Sequence, residues 1–299
     1  MFIIKNKKIF FTLTFVLVAV AIAVSSWLGF SIGVDFTGGS LLEVSYEESR
    51  LPKSEAHTAL DKLSFEGYSL RESGERGYIL RTSALSDSER VEAIEALSAG
   101  EVRANVERFT TIGPTIGEEL RSKALLAIVL VIIIIVVFVS IAFRKVSEPV
   151  SSWKYGVVAI ITLVHDIVVP TGVFAIYGYI TGAQVDVLFV MALLAILGYS
   201  INDTIVIFDR IRENLRHNKE NNIKEDFDHT VGKSLSETYA RSINTSLTTI
   251  FVLGTLFFLG GSATSAFVFT LLSGVIAGAY SSLFLAAPLL TTFVKKPKA

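Results

Sequence analysis

The chain has 299 residues, 51% of them apolar, and its positive mean hydropathy puts it among membrane proteins before any motif is read. Its 27 Lys and Arg nearly balance 28 Asp and Glu, for a net charge of -1, so no overall field draws it toward nucleic acid. The absence of cysteine excludes disulfides, thiolate metal ligands and a cysteine nucleophile, and leaves the compartment open.

The first apolar run, 9–30, follows Lys5, Lys7 and Lys8. A cleaved signal peptide would have a basic start, a shorter apolar core and a small-residue site, which Ala21 and Ala23 imitate. The run instead continues through Trp27, Leu28 and Phe30 to a spanning length with aromatics at its far interface, and reads as a retained anchor.

Residues 40–119 are the only long stretch of soluble-protein composition. Strands are expected at 41–46, around 68–70, at 78–82 and at 102–109. Helices are expected at 52–63, behind Pro52, and at 86–97, where Ser86 and Glu89 have capping-box spacing. The order strand-helix-strand-strand-helix-strand predicts a small ferredoxin-like α/β domain. It holds no catalytic constellation, and His57 reads as a lone surface residue.

Five more spans follow. The run 125–143 is stopped by Arg144 and Lys145, and 155–177 contains His165, Asp166 and Pro170. The next run begins at Leu188 and extends to Phe208; after a polar segment, 210–241, come 243–259 and 266–293, joined at Gly260, Gly261 and Ser262. The last ends at Lys295, Lys296 and Lys298. The expected fold is a polytopic α-helical membrane protein, with six transmembrane helices and an extracytoplasmic α/β domain between the first and second. Its divisions are 1–34 (cytoplasmic N-terminus and first helix), 35–119 (extracytoplasmic domain) and 120–299 (five-helix bundle with a cytoplasmic C-terminus).

When the spans alternate, Lys5 to Lys8, Arg144 to Lys154, Arg210 to Arg241 and the terminal lysines fall on one face. The positive-inside rule makes that face, and both termini, cytoplasmic; a long translocated domain is largely exempt from the rule.

The stretch 188–214 carries the chemistry. Asn202 and Asp203 interrupt its apolar run before a burst of charge at Asp209, Arg210, Arg212 and Glu213. A carboxylate at a helix centre costs roughly 2.5 to 3.5 kcal/mol on insertion, so such groups face a bundle interior and mark ion or proton pathways, or serve as structural hydrogen-bond partners. Ala192, Ala195, Tyr199 and Asn202 form a strip at helical spacing beside Asp203, which is expected to pack closely on a neighbouring helix. Arg241 opens a polar entrance to the fifth span on the same side, so a movement that alters its distance from Asp203 would alter proton affinity; the bland alternative is a topogenic arginine. His165 and Asp166 are too few for a metal site, and Pro170 leaves the Asp166 carbonyl without its helical donor.

Three motifs give this pattern a likeness: GVDFTGG at 33–39, TIGPTIG at 111–117, and GYSINDT at 198–204 leading to DRIREN at 209–214. Their key residues are Gly33, Asp35, Phe36, Gly38, Gly39, Gly113, Pro114, Gly198, Asn202, Asp209 and Arg210. Along nearly the whole chain it resembles the SecF family of protein-export membrane subunits, relatives of the resistance-nodulation-division transporters. The resemblance implies a multi-pass protein of the bacterial inner membrane, set in lipid and paired with SecD. It further implies association with the SecYEG channel and the SecA motor, assistance to an exported polypeptide, and use of the proton-motive force without a cofactor or enzymatic step. It assigns proton passage to the Asp203 and Arg241 positions and makes Asp35 a turn residue at the base of the domain; from the residues alone, Asp166 reads as a secondary proton group in the relay or as a polar packing contact. The rivals are a proton-driven half-transporter of small or lipidic molecules, an intramembrane hydrolase using Asp166 and Asp203, and a pure scaffold.

Overall fold

A computed structural model describes residues 2–63, 65, 67–98, 102–144 and 150–294. Lys145 and the terminal lysines Lys295, Lys296 and Lys298 lie outside the described residues. A single turn, α1 (Phe2–Lys5), precedes α2 (Lys7–Leu28), and a second short turn, α3 (Val34–Thr37), leads into an α/β unit. That unit runs β1 (Gly39–Ser45), α4 (Lys53–Leu60), β2 (Tyr68–Ser73), β3 (Gly77–Thr82), α5 (Asp87–Ala96) and β4 (Asn105–Ile112). Then come α6 (Pro114–Ala142), α7 (Ser152–Thr181), α8 (Val187–Glu220), α9 (Phe227–Leu259) and α10 (Ser262–Ser281). A π-helical turn (Ser282–Ala286), α11 (Ala287–Leu290) and a 3-10 turn (Thr291–Phe293) follow. Six helices among the described residues are long and apolar enough to cross a membrane.

The four strands form an antiparallel sheet in the order β2-β3-β1-β4. Strand side chains alternate between faces, so Leu42, Val44, Tyr78 and Leu80 share one face, where they pack under Ala56 and Leu60 of α4, Ala93 of α5 and Leu97 just after it. The Ser86–Glu89 capping box forms as the spacing requires. The last strand begins later than its apolar pattern suggested, because pairing with β1 sets the register: Ser40 opposes Thr111, and their hydroxyls lie 2.6 Å apart. Val102 packs against the core ahead of the strand instead. His57 is not alone, since its Nδ1 lies 2.9 Å from the Tyr68 hydroxyl.

Helices outrun the apolar segments that announced them. The α6 helix starts at Pro114, a residue suited to the first helical position, well before Leu125. The polar segment after Phe208 is helical too: α8 continues to Glu220 and α9 begins at Phe227. These ends form an antiparallel hairpin joined by Asn214 to Ser234 (2.9 Å), Asn218 to Thr230 (3.3 Å) and the Arg210–Glu237 ion pair (2.7 Å).

Close approaches lock the bundle. A Cβ on Gly172 of α7 would lie 2.5 Å from that of Ala21 on α2, so the residue that imitated a cleavage site is a packing contact. A Cβ on Gly274 of α10 would fall 2.1 Å from the Ile196 side chain of α8. At the domain end, Gly38 has φ +74, where a side chain is strained, and its Cβ would sit 2.7 Å from the Pro114 backbone. One on Gly117 would sit 2.8 Å from the Gly38 nitrogen. The first two sequence motifs are therefore two halves of one packed clasp between α3 and α6.

Candidate functional site

Two buried carboxylates flank α8. Asp203, on α8 itself, is 6% exposed, and its Oδ2 accepts from the Ser246 hydroxyl of α9 at 3.4 Å. Asp166, on α7, is fully enclosed. Its Oδ1 lies 2.8 Å from His165 Nδ1, while its Oδ2 accepts from the hydroxyls of Ser281 on α10, at 2.8 Å, and Ser200 on α8. A carboxylate without water needs such partners, and Asp166 has three. Ser200 and Asp203 are one helical turn apart, so successive turns of α8 carry the two networks.

The Asp166 cluster lies where regular helix is interrupted twice. Pro170 sits inside α7, and α10 gives way to the π-helical turn directly after Ser281. Ser282, in that turn, lies 2.9 Å from Thr204 Oγ1 and donates to the Ser200 carbonyl at 3.3 Å. His165 Nε2 is buried without a hydrogen-bond partner among the described residues, and its ring lies 5.7 Å from that of Tyr280.

On the Asp203 side, α9 presents hydroxyls at every fourth residue: Thr230, Ser234, Thr238, Ser242 and Ser246 are all buried. Thr238 donates to the Ser234 carbonyl at 2.9 Å and Ser234 to that of Thr230 at 2.8 Å, the back-bonding usual for such residues in helices. Ser242, only 1% exposed, has no partner for its hydroxyl among the described residues.

The remaining sequence-selected residues separate into three places. Gly33, Asp35, Phe36, Gly38, Gly39, Gly113 and Pro114 gather at the clasp, where Asp35 and Phe36 are buried. Gly198 and Asn202 are exposed, as is Ala195; of the predicted strip, Ala192 is buried and the Tyr199 hydroxyl donates to the Thr245 carbonyl of α9 at 3.2 Å, so only its Ala195 and Asn202 positions lie open. The buried stripe of α8 runs instead through Ala192, Ile196, Ser200, Asp203 and Ile207. Asp209 pairs with Arg212 at 2.5 Å, and Arg210 with Glu213 at 2.6 Å as well as Glu237, all in the α8–α9 hairpin. Arg241 is exposed and forms no ion pair with Asp203 among the described residues, yet its charge lies within electrostatic reach of that carboxylate.

Sequence reasoning missed Ser200, Ser281, Ser282 and Thr204. A signal was present, because Gly274 and Gly278 space small residues four apart just before Ser281 and Ser282, a pattern that brings helices together. Asp166 and Asp203 share no hydrogen-bond partner, and no cluster of three or more His, Cys, Asp or Glu suited to a metal occurs among the described residues.

Outside the bundle, the sheet face opposite the α4–α5 core meets the helix ends across a cavity of about 300 Å³ lined by Asp35, Glu43, Arg81, Arg108 and Asp186. Burial, with Arg71 adding to it, brings the Arg81 guanidinium down to about 10.

Residues 93–296, more than half of the chain, match the family described as "Protein export membrane protein SecD/SecF, C-terminal". The chain belongs to the SecD/SecF family. It is 34% identical to the protein translocase subunit SecF of Thermobaculum terrenum, over 98% of this chain and 94% of that one. A crystal structure of SecDF, a translocon-associated membrane protein from Thermus thermophilus, superposes over 97% of this chain with TM-score 0.81 and 30% identity. The chain spans only 38% of that longer SecDF chain. A second SecDF structure, in a super-membrane-facing form, gives TM-score 0.63 at 31% identity over 94% of this chain, so the two SecDF structures differ in shape over the shared region. As a SecD/SecF family member, the chain is a multi-pass membrane protein with a role in protein translocation.

Proposed function

We propose that this chain is the SecF-like subunit of a SecDF complex and assists protein translocation across the bacterial inner membrane by using the proton-motive force. The observation that carries this is Asp203, a buried carboxylate within a membrane-crossing helix, held by one long hydrogen bond to Ser246. Such a group is costly in lipid and has few structural bonds to justify it, which favours a proton site over a packing contact. Asp166, enclosed by His165, Ser200 and Ser281, is the second titratable group and a relay candidate. Arg241, exposed and unpaired with Asp203, acts when a movement brings it nearer. Each proton crossing the membrane is worth about 2.3 kcal/mol per 100 mV, enough to bias a conformational equilibrium.

Transporters of the resistance-nodulation-division type are built of two similar halves with the site between them, and this chain supplies one. The partner is SecD, and the exposed face of α8 at Ala195, Gly198 and Asn202 is available to it. The complex works beside the SecYEG channel and the SecA motor on an exported polypeptide, with no enzymatic step in this subunit. The four-stranded unit has the strand order of a split βαβ, or ferredoxin-like, domain and is extracytoplasmic. Both termini are cytoplasmic, in keeping with basic residues such as Lys7, Lys154 and Arg210 at the opposite end.

The experiment is Asp203→Asn, with export measured in inverted vesicles with and without a proton gradient. The gradient-dependent part of export disappears while the protein remains in the membrane; unchanged gradient dependence refutes the proposal.

A further inference from the structure

The α8 helix, like any helix, begins with backbone N–H groups that have no partner within it. Asp186, its N-cap, takes one by accepting from Phe189 at 2.8 Å. The N–H of Val187 goes elsewhere: it donates at 3.0 Å to Oδ2 of Asp35, 152 residues earlier in the chain. Asp35 belongs to α3, whose C-cap Gly38 leads straight into β1 at Gly39. The same segment is stitched to the residues before α8 through a parallel bridge between Ile32 and Val185. The Gly33 N–H donates to the Val185 carbonyl at 2.8 Å, and the Val185 N–H to the Ser31 carbonyl at 2.9 Å. On its other side α3 is held by Pro114 and Gly117 of α6 through the clasp.

Asp186 supplies the local cap, and Asp35 takes a second of these N–H groups from a distant part of the chain, so the start of α8 is tied to a segment outside it. The Asp35 carboxylate joins the positive end of α8 to the foot of the sheet through a directional bond of ordinary length, 3.0 Å. Asp203 lies farther along the same helix, so an axial or rotational shift of α8 on protonation is felt at Val187 and passes to β1 through Asp35.

We infer that Asp35 is a positioning residue that couples α8, and hence the protonation state of Asp203, to the orientation of the extracytoplasmic domain. This rests on Asp203 being the proton group, and the test separates the two claims. The chain has no native cysteine, so spin labels go on Glu92→Cys, an exposed site on α5, and Thr264→Cys, an exposed site at the domain end of α10. Distances are measured in the full chain with its SecD companion in liposomes, and Asp203→Asn serves as the protonated mimic. With Asp35 present, Asp203→Asn shifts the distance distribution. In Asp35→Asn the shift persists, because the amide oxygen still accepts from Val187. In Asp35→Ala it is lost.

Val187→Pro supplies an independent variant that deletes only the donor. Proline is suited to the first helical position, and Asp186 has the extended backbone (φ -126, ψ -174) that a residue before proline adopts. The shift is lost in this variant as well, so the test does not depend on how well Asp35→Ala folds. A shift that survives in Val187→Pro overturns the inference while leaving the proton reading intact. Absence of any shift on Asp203→Asn with Asp35 in place refutes the proton reading and this coupling with it.

Discussion

The hydroxyl of Ser281 donates to Asp166 Oδ2 at 2.8 Å, linking two residues 115 positions apart at the point where α10 changes to a π-helical turn. That bond and the one from Ser200 tie α7, α8 and α10 around one enclosed carboxylate. Asp203, one turn along α8 from Ser200, faces α9 and has a single bond at 3.4 Å. The two acids thus differ in kind. Asp166 is held on three sides, whereas Asp203 is nearly free to exchange its partner, which is the property a proton-loading group needs.

The same contrast gives opposite expectations for two serines. Ser281→Ala removes a donor from a buried carboxylate and costs about 1–3 kcal/mol. Ser242→Ala removes a buried hydroxyl that has no partner among the described residues, so stability is unchanged or rises by about 1 kcal/mol. Thermal unfolding of the detergent-solubilised variants side by side checks both signs. A loss of stability in Ser242→Ala would mean that this hydroxyl has a partner.

Much of this arrangement was legible in the residues, for reasons that also explain what was not. Asp166 and Asp203 stood out because a charge inside an apolar run is conspicuous, and Ser86 with Glu89 because a cap is a local matter. Serines such as Ser200 and Ser281 did not stand out, because a hydroxyl can return its bond to its own helix and so sits at little cost anywhere in a span. Helix lengths were underestimated because hydropathy marks where lipid ends, and α8 continues beyond that point as a hairpin held by polar bonds. The strip of Ala192, Ala195, Tyr199 and Asn202 divides, with Ala192 and Tyr199 toward neighbouring helices and Ala195 and Asn202 open, since spacing shows which residues share a side but not what that side meets.

A glycine packed against the buried face of α8 and one on its open face should respond oppositely to alanine. A Cβ on Gly278 of α10 would lie 2.9 Å from that of Ser200, so Gly278→Ala pushes α10 from α8 and costs about 1–3 kcal/mol. Gly198 meets nothing within 4 Å, and in a helix interior Gly198→Ala stabilises the isolated chain by up to about 1 kcal/mol. If SecD packs on that face, the same substitution weakens co-purification with SecD. Melting curves of the isolated chain and pull-down of the companion separate the effects. A destabilised Gly198→Ala monomer would contradict the open environment of this residue.

Asp166 should tolerate an amide far better than an apolar group. In Asp166→Asn the side chain keeps its shape, and the two serine hydroxyls can rotate to suit its oxygen and nitrogen. Asp166→Leu strands His165 and Ser200, while Ser281 keeps the Gly278 carbonyl at 3.1 Å, and at 1–3 kcal/mol for each unsatisfied group the expected loss is roughly 2 kcal/mol or more. Membrane levels and unfolding temperatures of the two variants give the comparison. Equal stability of wild type and Asp166→Leu would show that the cluster holds little of the bundle together.

The turn between α8 and α9 carries a pH dependence of its own. Glu225 accepts from Thr230 at 2.6 Å and from Asn218 at 2.8 Å, and lies 2.5 Å from His229 Nδ1. These bonds, that of Thr230 foremost, hold its carboxyl down at about 2, against a usual value of 4.5. Because the folded value is the lower one, the stabilisation is fully present above pH 4.5 and is lost as the pH falls toward 2. Hydrogen exchange of peptides covering 214–234, corrected for intrinsic rates, should show the hairpin opening over that window while the Ser40–Thr111 region of the sheet keeps its protection. Glu225→Ala removes about 1.5–3 kcal/mol already at neutral pH and flattens the dependence between those values. Protection of 214–234 that is the same at pH 5 and pH 2.5 in the unsubstituted chain would mean that Glu225 does not hold the hairpin closed.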